Sequence, residues 1–216
     1  MRMGPRVVTV GADRLAQWLD GFAERHGAIT VGTDAARATE VSLVGADGAR
    51  ARLTVPFAPL PPIEAGQDPR AVLIAHALRS RVVGVLLVRR GGHAVGVFDG
   101  TELIASKVDS RYVQATTRAG GWSQQRFARR RANQARAAFA DAADTAVRVL
   151  LPYAERLEAL ICGGDRAAVL AVLADRRLQP IAGMRSEPML AVPDPRLRVL
   201  QATPEQFRAI RIALDP

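Results

Sequence analysis

Residues 83–104 read VGVLLVRRGGHAVGVFDGTELI, two apolar, valine-rich runs separated by a glycine pair and closed by an Asp-Gly step. Each run has the length of a strand rather than a helix, and β-branched side chains favour a pleated backbone. Gly91-Gly92 and Asp99-Gly100 are residue pairs that tolerate tight reversals. The runs at 82–89, 94–98, 101–107 and 112–116 therefore predict an antiparallel meander, with Asp109-Ser110 as its last turn.

After Thr117 the pattern changes. Gly120 and Gly121 interrupt it, and a helix is expected from about Ser123 to Leu151, where Pro152 stops it. Phe127, Ala135, Ala138, Phe139, Ala142, Ala146, Val149 and Leu150 recur with helical period, whereas Arg126, Arg129, Arg130 and Asn133 fall on a different side. The C-terminal part of this helix should pack on the sheet while its N-terminal part presents guanidinium groups. Further on, LEALICGGDRAAV (157–169) reads as a strand, a Gly163-Gly164 turn and a helix from Asp165 to Ala174. A strand near Arg196 to Leu200 and a helix from Thr203-Pro204 to Leu214 complete what looks like α/β crossover units.

Upstream, a short strand at 7–10 precedes a helix capped near Asp13, with Leu15, Trp18, Leu19 and Phe22 as its core stripe. Val41–Val44 and Ala51–Val55 flank an Ala46-Asp47-Gly48 turn and predict a hairpin. Pro56, Pro59, Pro61 and Pro62 favour extended backbone without ladder bonds, which places a linker ending near Gln67. Asp68-Pro69 then caps and starts a helix through Leu78. The fold class expected is mixed α/β (α+β), with an N-terminal subdomain at 1–67 and a second domain at 68–216.

With 216 residues, one sizeable core or one core plus a small subdomain can be buried without disulfides. The lone Cys162 cannot form an internal bridge, and no export signal is recognisable, so the cytoplasm is the expected compartment. The longest apolar stretch, 82–88, is far short of the ~20 residues that cross a bilayer. The net charge of +9 is concentrated. Between Asp109 and Asp141 there is no carboxylate, yet Arg111, Arg118, Arg126, Arg129, Arg130, Arg131 and Arg136 all lie there. Such a block suits a partner made of phosphates, or else forms a solvated helix face. Because Lys107 is the chain's one lysine, the clustering is informative and the preference for arginine is not.

Conventional catalytic sets are missing. His26, His76 and His93 lie on separate elements without metal-ligand spacing and read as surface or cap residues. No nucleophile elbow or phosphate-binding glycine loop is found. Gly91-Gly92-His93 and Gly163-Gly164-Asp165 are turns, and Asp141 and Asp144 fall on helix solvent positions. What is left is TRAGGWSQQRFARRR (117–131). Paired glycines allow a backbone close to another polymer, and a glutamine amide, which does not titrate, can orient a water and donate hydrogen bonds but cannot act as a base. A glycine hinge with Ser123 capping an ordinary helix is the simpler reading of the same residues.

This stretch resembles the Gly-Gly-Gln loop and following basic helix of eukaryotic and archaeal class-1 release factors. The meander at 83–104 and the turn at 157–169 resemble the same domain, so the likeness covers roughly residue 68 to the end. Here Trp122 and Ser123 separate the glycines from Gln124, a Gly-Gly-x-x-Gln spacing that resembles the Vms-like release factors of ribosome quality control, in an actinobacterial branch. The resemblance implies a ribonuclease-H-like mixed sheet flanked by helices and peptidyl-tRNA hydrolysis on the large ribosomal subunit. It implies Gln124, or Gln125 one residue on, as the catalytic glutamine with Gly120 and Gly121, in a loop at 118–125 that enters the peptidyl transferase centre. Arg118, Trp122, Arg126, Arg129, Arg130 and Arg131 would contact RNA, although Trp122 could equally fold back as packing. A monomer is expected, with no cofactor, metal or membrane. Stop-codon reading is not expected, since the likeness does not extend to a codon-reading domain.

Overall fold

In chain order the elements are β1 (Arg6–Val10), α1 (Leu15–His26), β2 (Ile29–Thr33), β3 (Glu40–Gly45), β4 (Arg50–Thr54), α2 (Pro69–Leu78), β5 (Val82–Arg89) and β6 (Gly92–Asp99). They continue with β7 (Glu102–Ser110), α3 (Ser123–Leu150), β8 (Ala159–Gly164), α4 (Arg166–Leu173), α5 (Gln179–Ala182), β9 (Arg185–Leu190), α6 (Leu197–Gln201), α7 (Thr203–Phe207) and β10 (Ile210–Asp215). This computed structural model describes residues 6–33, 39–89, 92–110 and 123–215, and for Ser110 and residues 123–132 the backbone alone. The chain forms two units, one of Met1–Arg79 with Pro204–Pro216 and one of Ser80–Thr203. The division therefore falls at Arg79/Ser80 and again at Thr203/Pro204, where the sequence placed one boundary near Gln67.

The first unit is a five-stranded antiparallel sheet in the order β1-β10-β4-β3-β2. Alternate residues Val41 and Leu43 of β3, Ala51 and Leu53 of β4 and Ile210 and Ile212 of β10 are buried with Leu15, Leu19 and Phe22 of α1 and Leu73 and Ala77 of α2. Two expectations are corrected here. The residues after Phe207 form a strand rather than helix through Leu214, because Ile210 and Ile212 alternate with exposed Arg211 and the strand pairs with β1 on one side and β4 on the other. Asp13 lies within a short 3-10 turn and does not cap α1, whose N-cap position is Arg14. The cap expected at Asp68 is present: its side chain accepts the Arg70 N–H at 2.9 Å with Pro69 in the first turn. The proline-rich stretch contributes Val55 and Leu60 to this unit's core.

The second unit is built around β5, central in the order β7-β6-β5-β8-β9. β6 runs antiparallel to β5 and β7, and β8 and β9 run parallel to β5. Counted within the unit the order is 3-2-1-4-5 with only the second strand reversed, the ribonuclease-H-like mixed sheet that was expected. Both faces are covered, which is why β5 and β6 are continuously apolar. Val95 and Val97 pack with Ala142, Ala143, Ala146 and Leu150 of α3 and with Val169 and Val172 of α4. On the opposite face, Leu200 of α6 comes within 3.0 Å of where a Cβ on Gly96 would lie. Arg196–Leu200, expected as a strand, is therefore mostly helix, and β9 and β2 were not anticipated. Asp109 and Ser110 belong to β7 rather than to a turn, and the strand expected at 112–116 lies outside the described residues.

The Gly163-Gly164-Asp165 turn shows why glycine is needed. Gly164 has φ +98°, and a Cβ there would stand 2.2 Å from the Val88 carbonyl oxygen, which also accepts the Asp165 N–H at 2.8 Å. Asp165 then caps α4 through the Ala167 N–H at 3.0 Å. Gly164→Ala is expected to cost about 3 kcal/mol, from the unfavourable φ and the displaced strand end. Thermal melting should register it as a Tm fall of roughly 10 °C.

A second stability prediction concerns pH. Asp175 is held down at about 2 by hydrogen bonds from the Arg177 guanidinium and then from the Arg177 backbone N–H. Arg177 also reaches Asp144 of α3 at 2.7 Å. A carboxylate whose folded pKa is depressed stabilises fully above its unfolded value near ~3.9 and loses that contribution as pH falls toward 2. Asp175→Asn, which keeps the capping oxygen, should melt below wild type at pH 6, with the gap closing between pH 4 and 2.

Candidate functional site at the start of the long helix

β7 is an edge strand parallel to β5, so its carboxyl end lies at the same end of the sheet as those of β5, β8 and β9. From that end the chain passes through residues 111–122 into α3. Arg118, Gly120, Gly121 and Trp122 lie outside the described residues. Gln124 and Gln125 are the second and third residues of α3, and Arg126, Arg129, Arg130 and Arg131 occupy its first three turns, described by their backbone.

The packing of α3 separates it into two parts. Asn133, Gln134, Ala135, Arg136 and Ala137 are all exposed, and five consecutive exposed residues cover every side of the helix. Ala135 is thus not on a core face, because the sheet does not reach that far. Contact begins at half-buried Ala138 and Phe139 and becomes complete at Ala142, Ala143, Thr145, Ala146 and Leu150. The fifteen residues from Ser123 to Ala137, about 22 Å of helix, precede the packed part.

Helical phase sorts these positions. Position 124 lies five turns of about 3.6 residues before Ala142 and so shares its line along the helix, the line that packs on the sheet further down. Positions 126, 129, 130, 133 and 136 lie on the opposite line. The first turn carries no acidic residue, and its N–H groups have no intrahelical acceptors. The positive end of the helix dipole adds there to the arginine charge, so an anionic partner is favoured.

Where α3 leaves the sheet, a small cleft is lined by Arg89, His93, Asp109, Phe139 and Asp141 among others. Arg89 donates to the Val192 carbonyl at 2.9 Å. His93 is buried, and its Nε2 is 3.0 Å from Thr145 Oγ1. His76 is buried against the Pro56 carbonyl at 2.9 Å, and His26 bonds Asp47 at 2.9 Å. His76 and His93 are thus buried partners within their units rather than surface or cap residues, whereas His26, half-exposed in the last turn of α1, is a surface residue as expected. Asp144 is exposed as expected, whereas Asp141 is half-buried in the cleft wall. The His93–Thr145 pair was not anticipated, since residues 52 apart reveal no pairing by spacing.

Among the described residues, no group of three or more His, Cys, Asp and Glu stands close enough to hold a metal ion. Burial pushes the Cys162 thiol up to about 12, which leaves it without thiolate character at neutral pH. No described helix is long and apolar enough to cross a membrane.

Comparison with known proteins adds the family. No protein of curated function matches the sequence. Among solved structures, the chain aligns with the crystal structure of the archaeal translation termination factor aRF1 at 18% identity and a TM-score of 0.41, over 74% of this chain and 45% of that one. A second, described as an archaeal protein, aligns at 16% identity and a TM-score of 0.41, over 78% of this chain and 49% of that one. The chain spans just under half the length of these two structures. The model of the Actinobacteria/chloroflexi VLRF1 release factor family matches residues 81–213, more than half the chain. This chain therefore belongs to the Actinobacteria/chloroflexi VLRF1 release factor family.

Proposed function

We propose that the protein is a peptidyl-tRNA hydrolase that acts on the large ribosomal subunit, in the cytoplasm and as a monomer, to release stalled nascent chains. The observation that carries this reading is a release-factor-family chain whose GGWSQ sequence enters a helix exposed on every side over 133–137. A loop that must reach the peptidyl transferase centre needs such a stalk.

In this reading Gly120 and Gly121 let the backbone approach RNA, and Gln124 holds a water through its amide, the Oε1 accepting and the Nε2 donating. The water oxygen attacks the ester carbonyl carbon, and the developing oxyanion is stabilised by hydrogen-bond donors in the assembled site. The bond to the 3′ oxygen breaks and that oxygen takes up a proton, so the tRNA leaves with an intact 3′ hydroxyl and the peptide with a carboxylate. Arg118, Arg126, Arg129, Arg130 and Arg131 anchor the loop to phosphates, and Trp122 stacks on a base or packs within the loop. None of these roles requires a cofactor or metal.

The test is peptide release from purified large subunits carrying labelled peptidyl-tRNA, with the tRNA end examined. Release with an intact CCA end supports hydrolysis. Release with a shortened end means endonucleolytic cleavage, and binding without release in the wild type means a ribosome-binding module.

A further inference from the structure

The interface that holds α3 on the sheet has alanine at its centre, with Ala142, Ala143 and Ala146 in one core with Leu86, Val88, Val95 and Val97, flanked by half-buried Phe139 and buried Leu150. Alanines allow close approach but present little to stop a helix from tilting or turning, whereas a hydrogen bond is directional. One such bond stands inside this interface. Thr145, 3% exposed, and His93, 5% exposed, bring Oγ1 and Nε2 within 3.0 Å and join α3 to β6. Arg148 donates to the same hydroxyl at 3.4 Å from the next turn.

The lever beyond this contact is long. From Thr145 to Gln124 is 21 residues of continuous helix, about 32 Å, so a tilt of about 5° at the contact displaces position 124 by roughly 3 Å. A misplacement of about 1 Å can cost ~100-fold in rate where chemistry depends on held geometry. We propose that His93 and Thr145 are positioning residues that set the angle at which α3 delivers the glutamine loop. The effect on release rests on the hydrolase reading; the effect on helix direction does not.

Two measurements separate these. Spin labels on Glu102→Cys of β7 and Gln134→Cys of α3 report the direction of the stalk, and buried Cys162 stays unlabelled. Thr145→Val keeps the side chain's shape and removes the hydroxyl. It should broaden the distance distribution about twofold, with Thr145→Ser restoring the wild-type width. An unchanged width in Thr145→Val overturns the proposal. In the release assay, Thr145→Val should lower kcat about 10- to 100-fold with KM within about threefold, and Thr145→Ser should recover it. Val172→Ala, a core truncation in α4 that leaves His93 and Thr145 in place, controls for lost stability. If it lowers kcat as much as Thr145→Val at the same loss of Tm, the effect is unfolding and the proposal fails. Absence of release in the wild type defeats the hydrolase reading, while the distance measurement still decides the clamp.

Discussion

Gln124→Ala is expected to slow peptide release from large subunits by about 10²- to 10³-fold while leaving subunit binding within about twofold. The size follows from its proposed role: losing one preorganised group that orients the attacking water, or donates where charge develops, costs that much in comparable sites. Binding should survive because the amide makes at most a few of many contacts. Gln125→Ala should stay within about threefold of wild type, since successive helical positions are about 100° apart round the axis. Release lost at Gln125 and kept at Gln124 would move the assignment by one residue. Release unchanged in both would remove the glutamines from the chemistry altogether.

The second large effect concerns salt. If Arg126, Arg129, Arg130 and Arg131 each neutralise a phosphate, replacing all four by glutamine should lower the slope of log affinity against log salt by about 3, at ~0.7 per contact. Wild-type binding would then lose about 50-fold more affinity than the variant between 50 and 200 mM salt. These positions directly precede the stretch 133–137, whose five residues are all exposed. A slope that does not change would make the cluster an ordinary solvated helix face. Glutamine is the right replacement because it keeps helix propensity near that of arginine.

Much of the second unit was legible because its cues are local. The β5–β6 hairpin follows from two apolar runs and the residues between them, and in the first unit the cap at Asp68 follows from a short acceptor ahead of a helical run. The misreadings share a different cause. Ile210–Asp215 holds apolar residues at a spacing that fits a short helix or a strand, and pairing with both β1 and β4 settles it. Arg196–Leu200 took helical form where its Leu200 meets a glycine on β6. Ala135 has the period of a core residue but lies beyond the end of the sheet. His93 has no apolar signature, so its place inside the core became visible only with Thr145 beside it.

The amino-acid sequence by itself determined the strand meander of β5 to β7, the long helix with its arginine cluster and the glycine turn at 163–165, because charge, glycine content and periodicity are properties of neighbours in the chain. Only the tertiary structure decided that the first unit is closed by the last strand, where α3 stops packing and begins to project, and that a buried histidine meets a threonine there. Those facts depend on pairings between residues far apart in sequence, whose stability comes from surfaces that exist only once the sheets have formed.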